Sequence, residues 1–304
     1  MMPIYLLGAR TARVEIPNQP LAVSISGSVS GAALYVEPSA NVVRVNAHLA
    51  VLPAMSGPVT IGVEPVGAPT FGHGTVVHLS IGPDNQSDLD PVQIGFDPVD
   101  VSGAGAMELA ALTPAGPRVE VAVRAVADSP LGPLAAMART AARRAGGARQ
   151  RPRSGSLTIA VDTSASMLPA FTDGSVAAAV DVIVGVADVA GIGDVDVLLV
   201  GSRTAAVRAP AAELAAAVAG TQVRWSAGAR WSALPSGVRT IAVTDARDVP
   251  VGRLPVLRIT GDPRCAQLGP VLVPPPSGGA ADRALAEDPA TLDRLAAGLL
   301  AVLT

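Results

Sequence analysis

Residues 157–167, with the sequence LTIAVDTSASM, join a short apolar run to a set of alternating polar side chains. A run of this length and composition is typical of a buried β-strand. Asp162, Ser164 and Ser166 follow it in a D-x-S-x-S pattern. One carboxylate and two hydroxyls are hard oxygen ligands of the kind that a small divalent cation such as Mg2+ prefers. The segment therefore predicts a metal-binding strand end, and does not by itself indicate an enzyme.

The composition predicts a soluble protein with two domains. A chain of 304 residues, of which 49% are apolar, can form two ordinary domains with sizeable cores. The net charge of −3 gives no overall field that favours nucleic acid. No apolar stretch approaches the ~20 residues of a membrane helix, and the N-terminus lacks the ~7–15-residue apolar core of a signal peptide. The single Cys265 excludes an internal disulfide framework. We expect a cytoplasmic protein with neither a membrane span nor a nucleic-acid partner.

The first half of the chain has the pattern of a β-sandwich. Short apolar runs recur between Gly, Pro, Asn and Ser residues up to about residue 127. The predicted strands are residues 21–25, 32–36, 42–52, 59–63, 75–81, 92–96, 107–112 and 119–126. A short Ala-rich helix is predicted at residues 133–144.

The second half alternates between strands and helices. The predicted strands are residues 157–161, 195–200, 221–225, 239–244 and 256–260, and the predicted helices are 175–190, 210–219, 231–236 and 290–303. Such alternation predicts an α/β domain with a doubly wound, mostly parallel sheet. Ligands of these sheets bind at the carboxyl ends of the strands. Asp162 and Asp245 each follow a strand directly, so both are expected there.

The arginine-rich segment 139–155 marks the predicted domain boundary. We expect an all-β domain at residues 1–138, a solvated Arg/Gly/Pro-rich linker at 139–155 and an α/β domain at 156–304. The alternative for the linker is a basic segment that contacts RNA or an acidic partner. No aromatic residues interleave with its arginines to stack on bases, which favours the linker.

Residues 156–304 resemble a von Willebrand factor A domain. The resemblance implies a Rossmann-like fold with a metal-ion-dependent adhesion site built from three loops. The first loop matches at Asp162, Ser164 and Ser166, and the third at Asp245. The second loop of the family carries a threonine in a G-T-x-x-x-x-L context, and the corresponding segment here, GARWSAL, has Ala229 at that position.

Ala229 leaves two interpretations of the site open. Alanine has no oxygen to donate, but Mg2+ tolerates a missing ligand by keeping water. In one interpretation the site binds Mg2+ more weakly and holds a partner's Asp or Glu. In the other, the fold is a scaffold without metal. The nearby hydroxyls of Ser226 and Ser232 are not assigned as replacements.

The segment after the D-x-S-x-S pattern resembles a narrower subgroup, the A domains of tellurium-resistance proteins and copines. Asp173, Gly174, Ser175 and Val176 match that subgroup's D-G-T-V sequence. From local chemistry alone, Asp173 is interpreted as a residue whose carboxylate satisfies free amides at a helix start, and not as a metal ligand.

Three stretches of the first half, residues 29–36, 77–101 and 121–139, resemble the TerD domain of tellurium-resistance and stress proteins. In that family acidic loops bind Ca2+. Here the acidic loop is reduced to Asp84, Asn85, Asp88 and Asp90, and Gly95 stands at the twelfth position, where an EF-hand requires a bidentate Glu. We interpret this loop as a solvated acidic turn and expect no Ca2+ in the first domain.

The sequence favours binding over catalysis. There is no nucleophile elbow or P-loop, and all three histidines precede the second domain. We expect a non-catalytic protein-binding module of a bacterial stress-response system of the tellurium-resistance type. Asp162, Ser164 and Ser166 would hold Mg2+, Asp245 would orient a coordinated water, and an acidic side chain of another protein would complete the shell. The alternatives are a metal-independent structural or assembly subunit and, third, a metal-assisted hydrolase, for which the sequence names no general base.

Overall fold

The structure is a computed structural model, and it describes residues 4–8, 12–39, 41–84, 92–125, 127–146, 154–235, 237–249 and 254–304. The chain divides into two compact units, one ending at Ser129 and the other beginning at Pro130. The protein is a mixed α/β protein with three sheets in the described residues, which agrees with the predicted combination of an all-β part and an α/β part.

The N-terminal unit consists of strands. They are β1 (Ile4–Leu7), β2 (Arg13–Pro17), β3 (Leu21–Gly27), β4 (Ala32–Glu37), β5 (Val43–Asn46), β6 (Leu49–Leu52), β7 (Val59–Pro65), β8 (Val76–Pro83), β9 (Gln93–Phe96), β10 (Val99–Asp100), β11 (Met107–Ala115) and β12 (Arg118–Val123). One sheet has the order β1-β9-β8-β3-β6-β5, with β10 beside β8, and the other has the order β2-β12-β11-β7-β4. The apolar side chains of both sheets join one hydrophobic core.

Alternation of side chains along each strand builds this core. In β3, Leu21, Val23 and Ile25 are buried whereas the residues between them are partly exposed. The predicted strand 42–52 is wrong as a single element, because the chain turns at residues 47–48 between β5 and β6. The Asn46 side chain accepts a hydrogen bond from the His48 amide at 2.7 Å and stabilises this turn.

The C-terminal unit contains the parallel sheet. Its strands are β13 (Ser156–Asp162), β14 (Asp194–Val200), β15 (Thr204–Val207), β16 (Arg239–Thr244), β17 (Val256–Ile259) and β18 (Val271–Leu272). The order is β15-β14-β13-β16-β17-β18. All neighbours are parallel except β14 and β15, so the prediction of a mostly parallel sheet is confirmed for this unit.

Six helices accompany this sheet in the part of the chain that the structure describes. They are α1 (Pro133–Gly146), α2 (Leu168–Thr172), α3 (Ser175–Val189), α4 (Leu214–Ala219), α5 (Ala281–Glu287) and α6 (Pro289–Leu303), with 3-10 turns at Ala165–Met167, Trp231–Ala233 and Pro263–Leu268. In the described residues, no helix alone has the length and apolarity of a membrane span. One bent pair, Ala165–Thr172 with Ser175–Val189, meets these criteria only when both parts are joined across a 76° bend.

The two faces of the parallel sheet are covered differently. Leu157, Ile159 and Val161 of β13 point into a large core to which all six helices contribute. Ala160 points to the opposite face, into a smaller cluster around Trp231. Within the described residues that smaller cluster contains loop and 3-10 residues but no α-helix, so helices on both faces, as a doubly wound sheet requires, are not observed. The reason lies in residues 221–235, where the predicted strand and helix are replaced by an extended loop and one 3-10 turn.

Helix α1 corrects the predicted domain boundary. It extends to Gly146 and belongs to the C-terminal unit, so residues 139–146 are not a linker and the first domain does not reach residue 138. Arg139 is buried, and its Nη1 lies 3.8 Å from Oδ2 of Asp188 on α3. The helix continues through Arg139, Arg143 and Arg144 because their side chains pack against other helices, with Asp188 beside Arg139 and Asp293 beside Arg144. Residues 147–153 of the predicted linker lie outside the described residues.

Candidate metal site

Two parallel neighbours, β13 and β16, bring the predicted aspartates to one edge of the sheet. Val161 of β13 is paired with Val243 of β16, so the next residues of each strand emerge side by side. Asp162 ends β13 and Asp245 directly follows β16. The strand-end placement predicted for both carboxylates is confirmed.

Asp162 is held rigidly at this edge. Its side chain is 3% exposed. Oδ1 accepts a hydrogen bond from the Ser164 amide at 2.7 Å, and Oδ2 accepts one from the Thr244 hydroxyl at 2.6 Å. Both donors are neutral and each carboxylate oxygen keeps a further lone pair, so the negative charge of Asp162 is oriented but not neutralised.

A chain of hydroxyls connects this carboxylate loop to Asp245. Ser164 Oγ lies 3.0 Å from Ser166 Oγ, and the Ser166 hydroxyl donates to Asp245 Oδ1 at 3.0 Å. Neighbouring ligands of an octahedral Mg2+, each about 2.1 Å from the metal, lie about 3.0 Å apart. The hydroxyl oxygens of Ser164 and Ser166 thus have the spacing of adjacent metal ligands, with the Asp245 carboxylate as the neighbour that would accept a hydrogen bond from a coordinated water. This donor set of hydroxyls and carboxylates fits Mg2+.

Thr244 is a site residue that the sequence interpretation missed. It is fully buried, and its hydroxyl donates to Asp162 while accepting from the Ala246 amide at 3.1 Å. Thr244 therefore links the first loop to the loop that carries Asp245. The signal was the register of β13 against β16, which places Thr244 beside Asp162 but cannot be read from the sequence of either strand alone.

The second loop reaches the site through its backbone. Residues 221–225 form no strand, but Ser226 makes a single parallel bridge with Ser164. The Ser226 amide donates to the Thr163 carbonyl at 3.1 Å, and the Ser226 carbonyl accepts from the Ala165 amide at 2.9 Å. Gly201 permits this approach, since a Cβ there would lie 2.5 Å from the Thr163 hydroxyl and 2.9 Å from the Ser226 hydroxyl.

None of the three second-loop side chains considered from the sequence, those of Ser226, Ala229 and Ser232, is placed as a metal ligand. Ala229 is half-buried and packs against the apolar cluster around Trp231. The Ser226 hydroxyl donates to the Gly228 carbonyl at 3.0 Å. Ser232 lies exposed in the 3-10 turn. The loop thus supplies positioning hydrogen bonds but, in this arrangement, no hydroxyl joined to the network of Asp162 and Asp245.

Two other residues from the sequence interpretation have different outcomes. Asp173 accepts a hydrogen bond from the Ser175 amide at 2.9 Å, which confirms that it satisfies a free amide at the start of α3. In the acidic turn of the N-terminal unit only Asp84 is described. Asn85, Asp88 and Asp90 lie outside the described residues, so the absence of Ca2+ there stays a prediction.

The candidate site is poor in classical metal-binding side chains. The described residues include no group of three or more His, Cys, Asp or Glu side chains placed to hold a metal ion. A cation at Asp162 would therefore depend on serine hydroxyls and water for most of its ligands. Such a shell suits hard, hydrated Mg2+ better than a soft metal.

Comparison of the chain with protein-family models, with curated proteins and with solved structures found no match. The family resemblances therefore depend on the sequence motifs alone. Function has to be argued from the site itself.

Proposed function

We propose that the protein is a non-catalytic binding module that docks a carboxylate of another protein through a divalent cation, Mg2+, at Asp162, Ser164, Ser166 and Asp245. The observation that carries the proposal is the arrangement at the ends of two adjacent parallel strands, where Asp162 accepts from the Ser164 amide and the side chains of Ser164, Ser166 and Asp245 are hydrogen-bonded in series. In this mechanism Asp162 and the two serines hold the cation, and Asp245 orients a coordinated water. The open position accepts the partner's Asp or Glu.

The family of each unit and its cellular role are part of the same proposal. The motifs around Asp162 and Asp173 favour an A domain of the tellurium-resistance type, with a TerD-like sandwich in the N-terminal unit and a role in a cytoplasmic bacterial stress response. These assignments depend on resemblance. The metal chemistry depends only on the geometry of the site and can be tested separately.

Titration calorimetry with MgCl2 tests the metal directly. Wild type should bind one Mg2+, and Asp162→Ala should weaken binding at least about 100-fold because the buried anionic ligand is lost. Asp248→Ala is the matched control, since Asp248 is exposed and close in sequence to Asp245 but makes no hydrogen bond to the site; it should bind like wild type. Equal binding by wild type and Asp162→Ala, or no binding by either, would refute the proposal.

A metal-independent scaffold is the second candidate, and one observation favours it. The side chains of Ser164, Ser166 and Asp245 are hydrogen-bonded to one another, and the second loop adds no hydroxyl to them. If the protein acts as an assembly subunit of this kind, a purified partner complex should survive excess EDTA unchanged. Dissociation in EDTA, reversed by Mg2+, would exclude the scaffold.

A further inference from the structure

Four exposed arginines lie in the loops that meet at the candidate metal site. Arg203 follows β14, Arg224 and Arg230 flank Ser226, and Arg247 lies two residues after Asp245. Their loops are joined at the backbone, since the Arg230 amide donates to the Gly201 carbonyl at 3.1 Å. We call these four residues the arginine rim.

The arginine rim has no internal anionic partner. Other arginines of this unit do pair, as Arg144 does with Asp293 and Arg208 with Asp196. Across the described part of the chain, none of the four rim side chains has a carboxylate within ion-pairing distance. With a divalent cation bound, the rim would outweigh the neighbouring aspartates and give the site a positive potential.

An exposed apolar patch adjoins the same loops. Leu168 is 48% exposed and Trp225 is 40% exposed. The Trp225 ring packs edge-on against Phe171, with centroids 5.3 Å apart and planes at 86°. Leu168 is two residues beyond Ser166, and Trp225 immediately precedes Ser226. The chain has only two tryptophans, and the other, Trp231, is buried. Exposed tryptophan beside arginine is typical of the residues that dominate binding energy at protein interfaces.

We infer that the site takes an acidic–apolar segment of a partner protein, with one carboxylate on the cation, a second acidic side chain on the arginine rim and an apolar side chain on Leu168 and Trp225. This inference rests on the proposed function and specifies its partner. Leu168 is only two residues from Ser166, and two residues of chain span at most about 7 Å. A partner segment of similar reach should therefore carry its apolar side chain within about three residues of the metal-bound carboxylate.

A protein segment suits this surface better than a nucleic acid. Phosphates would also attract the arginine rim, but a phosphate backbone has no aliphatic side chain to cover the exposed Leu168. Trp225 is the one large aromatic side chain exposed among the described residues of these loops, which gives little surface for stacking successive bases. A segment with two separate carboxylates and an apolar side chain matches the cation, the arginine rim and the apolar patch.

The probe for the test is a random dodecapeptide phage library, selected on the full-length protein with MgCl2. Wild type should enrich peptides with an Asp or Glu and a large apolar residue within three positions of each other, plus a further acidic residue. A synthetic peptide of the enriched sequence should bind with an anisotropy change and shift the Trp225 emission to the blue. An oligothymidylate serves as competitor and should not displace the peptide.

Variants then separate the parts of the surface. Trp225→Ala should weaken the peptide at least about 10-fold and abolish the apolar preference while acidic residues remain enriched. Arg224→Gln with Arg230→Gln should weaken it about 10-fold and reduce its salt dependence. Arg208→Gln is the matched control, because Arg208 is exposed and pairs with Asp196 near the start of β14, at the opposite end of this strand from the metal site, and it should bind like wild type.

The outcomes distinguish this inference from the proposed function. No enrichment, displacement by the oligothymidylate, or wild-type affinity in the Trp225 and arginine variants would overturn the inference. Mg2+-dependent enrichment of acidic peptides without an apolar preference would overturn it and leave the metal-bridged docking standing. Enriched acidic–apolar peptides that bind wild type as tightly in EDTA as in MgCl2, and bind Asp162→Ala as tightly as wild type, would support the arginine rim and the apolar patch and overturn the metal bridge.

Discussion

The helix layer formed by α1, α3 and α6 and the strand ends that carry the candidate site are stabilised in different ways. In the helix layer, the backbones of α1 and α3 approach so closely that position 185 has room only for glycine. At the strand ends, polar side chains are held by hydrogen bonds. A Cβ at Gly185 would collide with the Ala135 carbonyl and lie 2.9 Å from the Arg139 amide. Around Asp162, by contrast, the loops are joined by side-chain and backbone donors. Close packing therefore determines the structure of the helix layer, and hydrogen bonds determine that of the site. Substitutions in the helix layer should change the free energy of unfolding, and substitutions at the site should change the affinity for Mg2+.

The largest effect is expected for Gly185→Ala. Although alanine favours helices, the added methyl group meets backbone atoms of α1 that cannot move aside, so the free energy of unfolding should fall by about 1–3 kcal/mol. Chemical denaturation measures this change. Gly298→Ala in α6 is the matched control, since its Cβ would make an ordinary 3.5 Å contact with Pro270, and helix propensity should then stabilise the protein by up to about 1 kcal/mol. Destabilisation of equal size in both variants would contradict the comparison.

The next effect is on metal binding, at Thr244. Thr244→Val keeps the shape of the side chain but removes the hydroxyl that donates to Asp162. Because residues that orient a metal ligand typically contribute about 10- to 100-fold in affinity, we expect Mg2+ to bind about 10-fold more weakly by calorimetry. Thr244→Ser retains the hydroxyl and should restore most of the affinity. Valine with unchanged affinity would show that Asp162 does not need this bond.

A smaller effect tests the one strongly shifted acid of the helix layer. Burial, and then the negative charge of Asp282, raise the pKa of Asp181 from 3.8 to about 6. The folded protein therefore binds this proton more tightly than the unfolded chain, and its stability falls as the pH rises from about 4 to about 6. Asp181→Asn should raise the free energy of unfolding by about 1 kcal/mol above that window, since partial exposure screens the full shift.

The measurement for Asp181 is a pair of denaturation series between about pH 4 and pH 8. The two proteins should be equally stable near pH 4 and diverge as the pH rises. Asp282→Asn should give a smaller gain, because the Asp282 charge is only the second cause of the shift. A constant difference between Asp181→Asn and wild type at all pH values would contradict the proposed ionisation.

The smallest effect is expected at Ala229. By sequence resemblance, Ala229→Thr would restore a missing metal ligand. In the structure, Ala229 packs against the apolar cluster around Trp231, so the new hydroxyl should not reach the cation. Calorimetry should show a change of less than roughly 3-fold in Mg2+ affinity. This is smaller than the roughly 10- to 100-fold change that a single group supporting a metal typically causes. An increase of about 10-fold or more in Mg2+ affinity would show that the side chain at position 229 reaches the metal site, contrary to the packed arrangement in the structure.

Much of the parallel sheet and four of the site residues could be predicted from the sequence. The apolar runs before Asp162 and Asp245 identify both strands, and parallel strands must present such residues at one edge. Thr244 could not be found, because its role depends on how β13 and β16 are aligned. Residues 221–225 alternate like a strand but form no strand in the structure, and only the following residue, Ser226, makes a single bridge to Ser164.

The arginines misled the sequence interpretation in the opposite direction. A cluster with Gly and Pro is typical of solvated linkers, yet Arg139 and Arg143 lie buried in α1. Long side chains can bury their apolar stems while an acidic neighbour balances the charge. Composition cannot reveal that neighbour, since Asp188 lies on a different helix.

The hydrogen bond from Thr244 to Asp162 joins residues that are 82 positions apart, and this separation sets the order of events during synthesis. Contacts of such long range form late, because a large loop must close before they stabilise anything. The binding edge cannot exist until the ribosome has released residue 244 and β16 has docked beside β13. A partner that needs this edge, as proposed, would therefore not bind nascent chains that end before Asp245.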